Sequence, residues 1–261
     1  MELKGKVALV TGAGSGIGKA AAVRFAREGA AIGVLSRTES EVRKTVEEIA
    51  AAGGRAIPLV ADIADSAAMK QAIAQLVREY GRLDIVFANA GINGVWAPID
   101  ELAPEEWDRT ININLRGTYL TLHHAVPHLR AAGGGAVLVT ASVNGTRIFS
   151  NAGATAYSCT KAAQVAMVQM LAVELAKDRI RVNAICPGWI ETDIPDNTET
   201  RNTEKAGEPV EYPEGEIPLT DGRPGDSHEV AELALFLASD RARHVTGTPV
   251  WIDGAESLLV G

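Results

Sequence analysis

Cysteine is nearly absent from the 261 residues: only Cys159 and Cys186 occur. Two cysteines build no disulfide framework of the kind that staples small secreted domains, and they predict a reducing, cytoplasmic setting. No long apolar run occurs either. The longest apolar helix candidate, Ala162 to Ala176, is interrupted by Gln164, Gln169 and Glu174, so it predicts a buried helix and no membrane span. The start of the chain, Met-Glu-Leu-Lys-Gly-Lys, runs straight into the apolar stretch Val7 to Val10, which predicts no signal peptide. Positive charge is in short supply. The net charge is -8, and between Glu191 and Glu232 thirteen acidic residues face three basic ones, a local balance of -10. Nucleic-acid binding wants a basic face, so that class is excluded.

What is present is ordinary globular material, 46% hydrophobic and 22% charged, enough for one domain spanning 1–261 with a substantial core. Short β-rich apolar runs alternate with helical patterns. Val7 to Val10 precedes a helix over Gly18 to Glu28, Ala31 to Leu35 one over Glu39 to Ala52, and Ile57 to Val60 one over Ala67 to Tyr80. Ile85 to Ala88 precedes a longer helical region around Trp107 to Arg130, and Ala136 to Thr140 a helix over Tyr157 to Lys177. Arg181 to Ile185, a helix near Ser227 to Ser239 and a last strand at Pro249 to Ile252 complete the series. Strands without polar alternation, separated by helices, predict an α/β fold: a doubly wound parallel sheet of Rossmann type, covered on both faces. The stretch 191–223 holds four prolines and few apolar residues. It reads as a mobile substrate lid inserted in this domain, whose acidity would disfavour anionic substrates if it closes.

Directly after the first strand stands Thr-Gly-Ala-Gly-Ser-Gly-Ile-Gly, residues 11–18, opening into a helix. Such glycines let the backbone turn sharply against a pyrophosphate, while the amides and dipole of the helix N-terminus attract its charge. The spacing of Gly12, Gly16 and Gly18 is G-x-x-x-G-x-G. Tyr157 and Lys161, four apart, fall on one helical face. An unperturbed phenol, with a pKa of about 10, is a poor acid–base catalyst at neutral pH. An ammonium roughly 4 Å away, at an effective dielectric of about 20, contributes up to about 4 kcal/mol towards its ionisation.

Gly12, Gly16 and Gly18, then Asn89-Ala90-Gly91, Asn114, Ser142, Tyr157, Lys161 and Pro187-Gly188 stand in the order found in the short-chain dehydrogenase/reductase family, which the chain resembles over nearly its whole length. The resemblance implies interconversion of a carbonyl and an alcohol with a nicotinamide dinucleotide. Ser15, Ile17 and the three loop glycines would meet the pyrophosphate, Asp62 and Ile63 the adenine, and Asn89, Ala90 and Gly91 the switch-point crevice. Pro187, Gly188, Ile190 and Thr192 would lie on the nicotinamide side. Tyr157 would exchange the proton, Lys161 lower its pKa and hold the nicotinamide ribose, Ser142 fix the substrate oxygen, and Asn114 hold a water that extends the proton path. Asp62 could equally cap the helix that follows it.

The residue types at the end of the second strand bear on which dinucleotide is used. NAD-binding folds place an acid there, whereas Ser36 and Arg37 stand at this position and suit a 2′-phosphate, favouring NADP over NAD. Asn144, Trp96, Phe149 and Trp189 are candidate substrate contacts for a small alcohol or ketone. The fifteen-residue interval from Ser142 to Tyr157 is a little longer than is usual in the family, with the extra length in 149–155. His124 and His128 share a helical spacing but lack an acidic third ligand, so no metal is expected. A homotetramer is the expected assembly. Two other readings compete: a non-redox lyase or isomerase on the same scaffold, which an intact glycine loop and Lys161 disfavour, and a regulatory dinucleotide sensor, which has no need of Ser142, Tyr157 and Lys161 together.

Overall fold

The structure, a computed structural model, describes residues 1–192, 198–208 and 217–260. Seven parallel strands form its centre: β1 (Val7–Thr11), β2 (Ala31–Ser36), β3 (Arg55–Val60), β4 (Ile85–Ala88), β6 (Gly135–Thr140), β7 (Ile180–Pro187) and β11 (Pro249–Ile252). Their order is β3-β2-β1-β4-β6-β7-β11, so the winding reverses between β1 and β4. A crevice opens at the carboxyl edge wherever successive crossovers leave in opposite directions.

Side chains from these strands alternate between two cores. Ala8, Val10, Ile32, Val34, Ile85, Phe87 and Leu138 meet the buried faces of α1 (Gly16–Arg27), α2 (Glu39–Ala51) and α7 (Ser227–Ala238). Val7, Leu9, Leu35, Val86, Val137, Val182 and Ala184 meet α3 (Ser66–Tyr80), α5 (Gly117–Ala131) and α6 (Thr155–Leu175). Because both sets are apolar, the strands read as continuous hydrophobic runs and not as alternating ones. Each buried Leu, Ile, Val or Phe contributes about 1.5–3 kcal/mol, which makes this double burial the main stabilising term.

Three departures from the sequence-based expectation matter for the site. The helical region expected over Trp107 to Arg130 is α4 (Pro104–Thr110), then a π-helical turn over Ile111–Arg116, then α5. The wide turn arises where Asn114 O, at its centre, accepts hydrogen bonds from Thr118 Oγ1 at 2.7 Å and Gln164 Nε2 at 3.0 Å. Asp62 does not cap α3. That position belongs to Asp65, which accepts from Ala67 N and Ala68 N, while Asp62 closes a tighter turn onto Ala64 N at 2.8 Å. Finally, the segment read as a lid carries regular pairing. β9 (Thr198–Thr200) runs parallel to β5 (Gly94–Trp96), and β8 (Ile190–Glu191) to β10 (Gly225–Asp226). Residues 193–197 and 209–216 of that segment lie outside the described residues.

After β11 the chain turns into α8 (Glu256–Val260) through Ala255, whose φ of 74° lies in the left-handed region that favours glycine. Asp253 holds the turn, its carboxylate accepting from Ala255 N and Ser257 N, both at 3.1 Å. A Cβ in this conformation costs about 1–2 kcal/mol, partly offset by the smaller conformational freedom of alanine in the unfolded chain. Ala255→Gly is therefore expected to raise Tm by about 1–3 °C in thermal denaturation. A lower Tm would show that the turn is unstrained.

Candidate active site

A cleft of about 790 Å³ opens at the carboxyl edge where the winding reverses. Its floor is set by hydrogen bonds between strand ends. Thr11 Oγ1 accepts from Asn89 N at 3.0 Å and Ala90 N at 3.1 Å, and Asn89 Nδ2 donates to Thr11 O at 3.2 Å. Thr140 Oγ1 completes the tie by donating to Asn89 Oδ1 at 2.9 Å. One asparagine thus joins β1, β4 and β6 and brings Gly12, Ala90 and Gly91 to the cleft.

The glycine loop makes a cradle with no room for side chains. Gly12 and Gly16 have φ of 67° and 50°, and a Cβ on Gly12 would stand 3.0 Å from Ala90 Cα. Gly18 lies outside the cleft lining but against Gly12 O and Asn89 Nδ2, so it sets how closely α1 approaches the turn. Ser15 is the N-cap of α1, yet its hydroxyl makes no capping bond, and no acid occupies the first turn. Backbone amides, a free hydroxyl and the positive end of a helix dipole fit a pyrophosphate.

Further along the cleft stand Ser36, Arg37, Asp62 and Ile63, with Arg37 Nη1 4.0 Å from Asp62 Oδ2 and both side chains exposed. Glu41 also reaches here: a Cβ on Gly14 would lie 2.7 Å from Glu41 Oε2 and 3.4 Å from Ser36 Oγ. On the opposite wall Pro187, Gly188, Trp189, Ile190 and Thr192 follow β7, and Thr192 Cβ comes within 3.4 Å of the Cβ position of Gly16.

Ser142, Tyr157 and Lys161 meet beneath this wall. Val143 N donates to Pro187 O at 3.0 Å, and Ser142 Oγ accepts from Asn144 N at 3.1 Å, which fixes the serine turn. Lys161 is 4% exposed and donates from Nζ to Thr140 O at 2.8 Å, 5.4 Å from the centre of the Tyr157 ring. Burial pushes the Lys161 ammonium down to about 8. Burial also pushes the Tyr157 phenol above its ordinary value, with a hydrogen bond from Ser142 acting the other way. The expectation that Lys161 acidifies Tyr157 is thus not met in the protein alone. Desolvation outweighs an ammonium that is itself destabilised by the same burial and spent on a carbonyl.

Asn114 is not on the cleft. It is fully buried, with Oδ1 accepting from Ile92 N and Nδ2 donating to Ile92 O, both at 2.8 Å, and to Thr160 Oγ1 at 3.2 Å. Its amide braces the backbone after Gly91, whose Cβ position lies 3.1 Å from Asn114 Oδ1 and 3.8 Å from Lys161 Nζ. Phe149 is 75% exposed and also off the cleft, whereas Asn144, Trp96 and Trp189 line it. The lining residues not singled out from sequence include Glu41, Asn93, Thr140, Asn151 and Glu256. Asn151 falls in the extra length before Tyr157 and Asn93 two positions after Asn89-Ala90-Gly91, which are the signals that could have found them. Among the described residues no three His, Cys, Asp or Glu side chains gather as a metal site, and no helix is long and apolar enough to cross a membrane.

The buried ammonium has a measurable cost. Lys161 ionises at about 8 in the folded chain against 10.5 ordinarily, so the penalty is fully present below pH 8 and fades as the pH rises towards 10.5. It amounts to about 3 kcal/mol at most. Lys161→Met is expected to melt several degrees above the parent at pH 7 without dinucleotide, with the gap closing towards pH 10. An equal or lower Tm at pH 7 would mean that the hydrogen bond to Thr140 outweighs the desolvation.

Comparison with known proteins agrees with this geometry. The family profile described as enoyl-(acyl carrier protein) reductase matches residues 12–255. A 3-oxoacyl-[acyl-carrier-protein] reductase of Thermotoga maritima is 39% identical over 97% of this chain and 98% of its own length. The crystal structure of a 3-ketoacyl-ACP reductase from Sinorhizobium meliloti 1021 is 61% identical with a TM-score of 0.94, covering 97% of this chain and 99% of that one. A 3-ketoacyl-(acyl-carrier-protein) reductase from Brucella melitensis, solved with NADH, is 33% identical with a TM-score of 0.86, covering 98% and 99%. With its parallel sheet, glycine cradle and Ser142, Tyr157 and Lys161 on one cleft, the chain belongs to the short-chain dehydrogenase/reductase family of oxidoreductases.

Proposed function

We propose that the protein interconverts a secondary alcohol and a ketone with NADP(H), using Tyr157 as the proton-transferring group. The observation that carries this reading is the convergence of Ser142, Tyr157 and Lys161 on one cleft, with Lys161 Nζ 5.4 Å from the centre of the Tyr157 ring, together with a cradle shaped for a pyrophosphate. When bound, the dinucleotide supplies the hydride in reduction and accepts it in oxidation. Ser142, with its hydroxyl held by Asn144 N, steadies the substrate oxygen where negative charge develops. Tyr157 gives its proton to that oxygen in reduction and removes it in oxidation. Lys161 stands between the tyrosine and the ribose side of the cleft. Filling the cleft displaces water, and any phenolate formed at Tyr157 then holds the ammonium charged more firmly than in the protein alone. Asn114 acts as a positioning residue, keeping Gly91 and Ile92 in place beside Lys161.

NADP is favoured because Ser36, not an acid, ends β2 and because Arg37 extends into solvent beside it. Glu41 opposes a phosphate at this place. It stands exposed on the first turn of α2 and can turn away, which an acid in the position of Ser36 could not do. A homotetramer is supported by α6, whose outward face carries Met170 and Val173, 73% and 82% exposed. The segment 191–223 serves as the lid, and two unpaired cysteines suit the cytoplasm.

Tyr157→Phe is expected to lower kcat about a hundredfold to ten-thousandfold across a panel of ketones while dinucleotide binding, followed by fluorescence titration, stays intact. Unchanged turnover would remove Tyr157 from the chemistry. Arg37→Ala is expected to raise the Kd of NADPH about tenfold or more and that of NADH far less. Equal losses for both would overturn the preference.

A further inference from the structure

Beyond Tyr157 the cleft changes character. Asn144, beside Ser142, accepts at Oδ1 from Asn151 Nδ2 at 2.6 Å. Across from them Trp96 lies with its ring centre 6.4 Å from that of Tyr157, and its Nε1 donates to Asn93 O at 3.3 Å. Asn93 Nδ2 in turn donates to Thr198 Oγ1 at 2.7 Å, on the strand that pairs with β5. Three half-buried asparagines therefore surround the place next to the reacting groups. Among the described residues each keeps amide capacity beyond these bonds: Asn151 and Asn93 at Oδ1, Asn144 at Nδ2. Trp96 and Trp189 supply flat apolar faces on the same cleft.

Charge points the same way. At this end Lys161 is spent on Thr140 O, and the Glu256 side chain accepts from Trp189 N at 2.9 Å. On the neighbouring segment Arg201 is clasped by Glu106 at 3.0 and 2.8 Å, and Lys205 by Glu101 at 2.9 Å, while Glu199, Glu204 and Glu208 are exposed. Of the cations on that segment, Arg201 and Lys205 are thus neutralised, and Arg223, exposed and bonded through Nε to Thr220 O at 3.1 Å, is not among the residues that line the cleft.

Resting on the oxidoreductase reading above, we propose that the substrate is an uncharged polyhydroxylated molecule, a polyol in one redox state and the corresponding hydroxyketone in the other. Side-chain amides both donate to and accept from hydroxyl groups, and indole faces cover the C–H surface of such a molecule. A hydrocarbon chain would leave the three amides without partners, and an anion would approach past the exposed Glu199, Glu204 and Glu208 of the neighbouring segment. A site that is fully buried and built for hydroxyls rejects analogues lacking them by about ten-thousandfold or more. These amides are half-buried, so discrimination of about a hundredfold is the proportionate expectation.

The test measures dinucleotide reduction with a set of C4–C6 polyols, with cyclohexanol, with a phosphorylated polyol and with a 3-hydroxyacyl-CoA thioester. In parallel, calorimetric titration follows binding of the same compounds to the full-length enzyme loaded with NADP+. The expected result is a kcat/KM for at least one polyol about a hundredfold above cyclohexanol and the two anionic compounds. Asn151→Ala should then raise the KM for that polyol about tenfold or more while kcat falls far less. Turnover of cyclohexanol or the thioester without turnover or binding of any polyol would overturn the proposal and leave the oxidoreductase reading standing. Polyol binding that Asn151→Ala weakens, with no turnover of any compound, would support the subsite and sink the redox reading. If no polyol binds or reacts and nothing else is turned over, both fall.

Discussion

Parallel strands of unequal length end in backbone groups that no neighbouring strand can satisfy, and here the whole site depends on how three side chains satisfy them. Thr140 is the hinge of that arrangement. Its hydroxyl binds Asn89, which ties β4 to β1 through Thr11, and its carbonyl takes the ammonium of Lys161. The same few bonds place Gly12 for a phosphate, Gly91 beside the reacting groups and Lys161 under Tyr157. A buried polar group left without a partner costs about 1–3 kcal/mol, so the network is either complete or strongly destabilising. Its completeness lets the glycine loop and the α6 helix, which share little direct contact, keep a fixed relation.

The carboxyl edge also explains why a costly lysine persists. Burial drives Lys161 down to about 8 and Cys186, on β7 nearby, up to about 11, so the region under the site resists any charge. A neighbouring thiol that stays neutral offers Lys161 no counter-ion. The lysine is therefore held in a state that only an added partner relieves, and the strain is concentrated at the group whose charge the proposed reaction uses. Stability and function pull against each other at one residue.

How much of this was written plainly in the sequence depended on range. Sheet strands, their flanking helices, the glycine turn and the pair Tyr157 and Lys161 are local patterns, with periods of two or 3.6 residues and spacings of four. They were legible. The π-helical turn at Ile111–Arg116 was not, because one of the bonds made by the carbonyl at its centre, Asn114 O, comes from Gln164, fifty residues away. Asp62 and Asp65 both suit a helix cap by type, and only the backbone between them decides. Asn114 stood at the expected motif position, but the direction of its amide was set by Ile92 and Thr160. Phe149 was chosen for its apolar character in a loop, and the loop turns it to solvent while bringing Asn151 inward. Residue type predicts burial only when the backbone direction is known.

The acidic segment shows the same limit from the other side. Composition gave it a strong net charge and suggested a loose loop, yet two of its three basic residues, Arg201 and Lys205, are the ones that dock it. Arg201 and the Ala103 amide together hold the Glu106 carboxyl down to about 2, and Arg201 also donates to Glu101 O at 2.6 Å. Each ion pair is at least partly open to solvent and worth little alone. Joined to the strand pairing of Thr198–Thr200 with Gly94–Trp96, they connect the segment to the strand that carries Trp96. The wall facing Tyr157 is thereby coupled to the segment's docking. Because Arg201 and Lys205 pair with Glu106 and Glu101 outside the segment, its own exposed Glu199, Glu204 and Glu208 keep none of that compensation, so the contacts that hold the segment in place also set the charge that an approaching substrate meets.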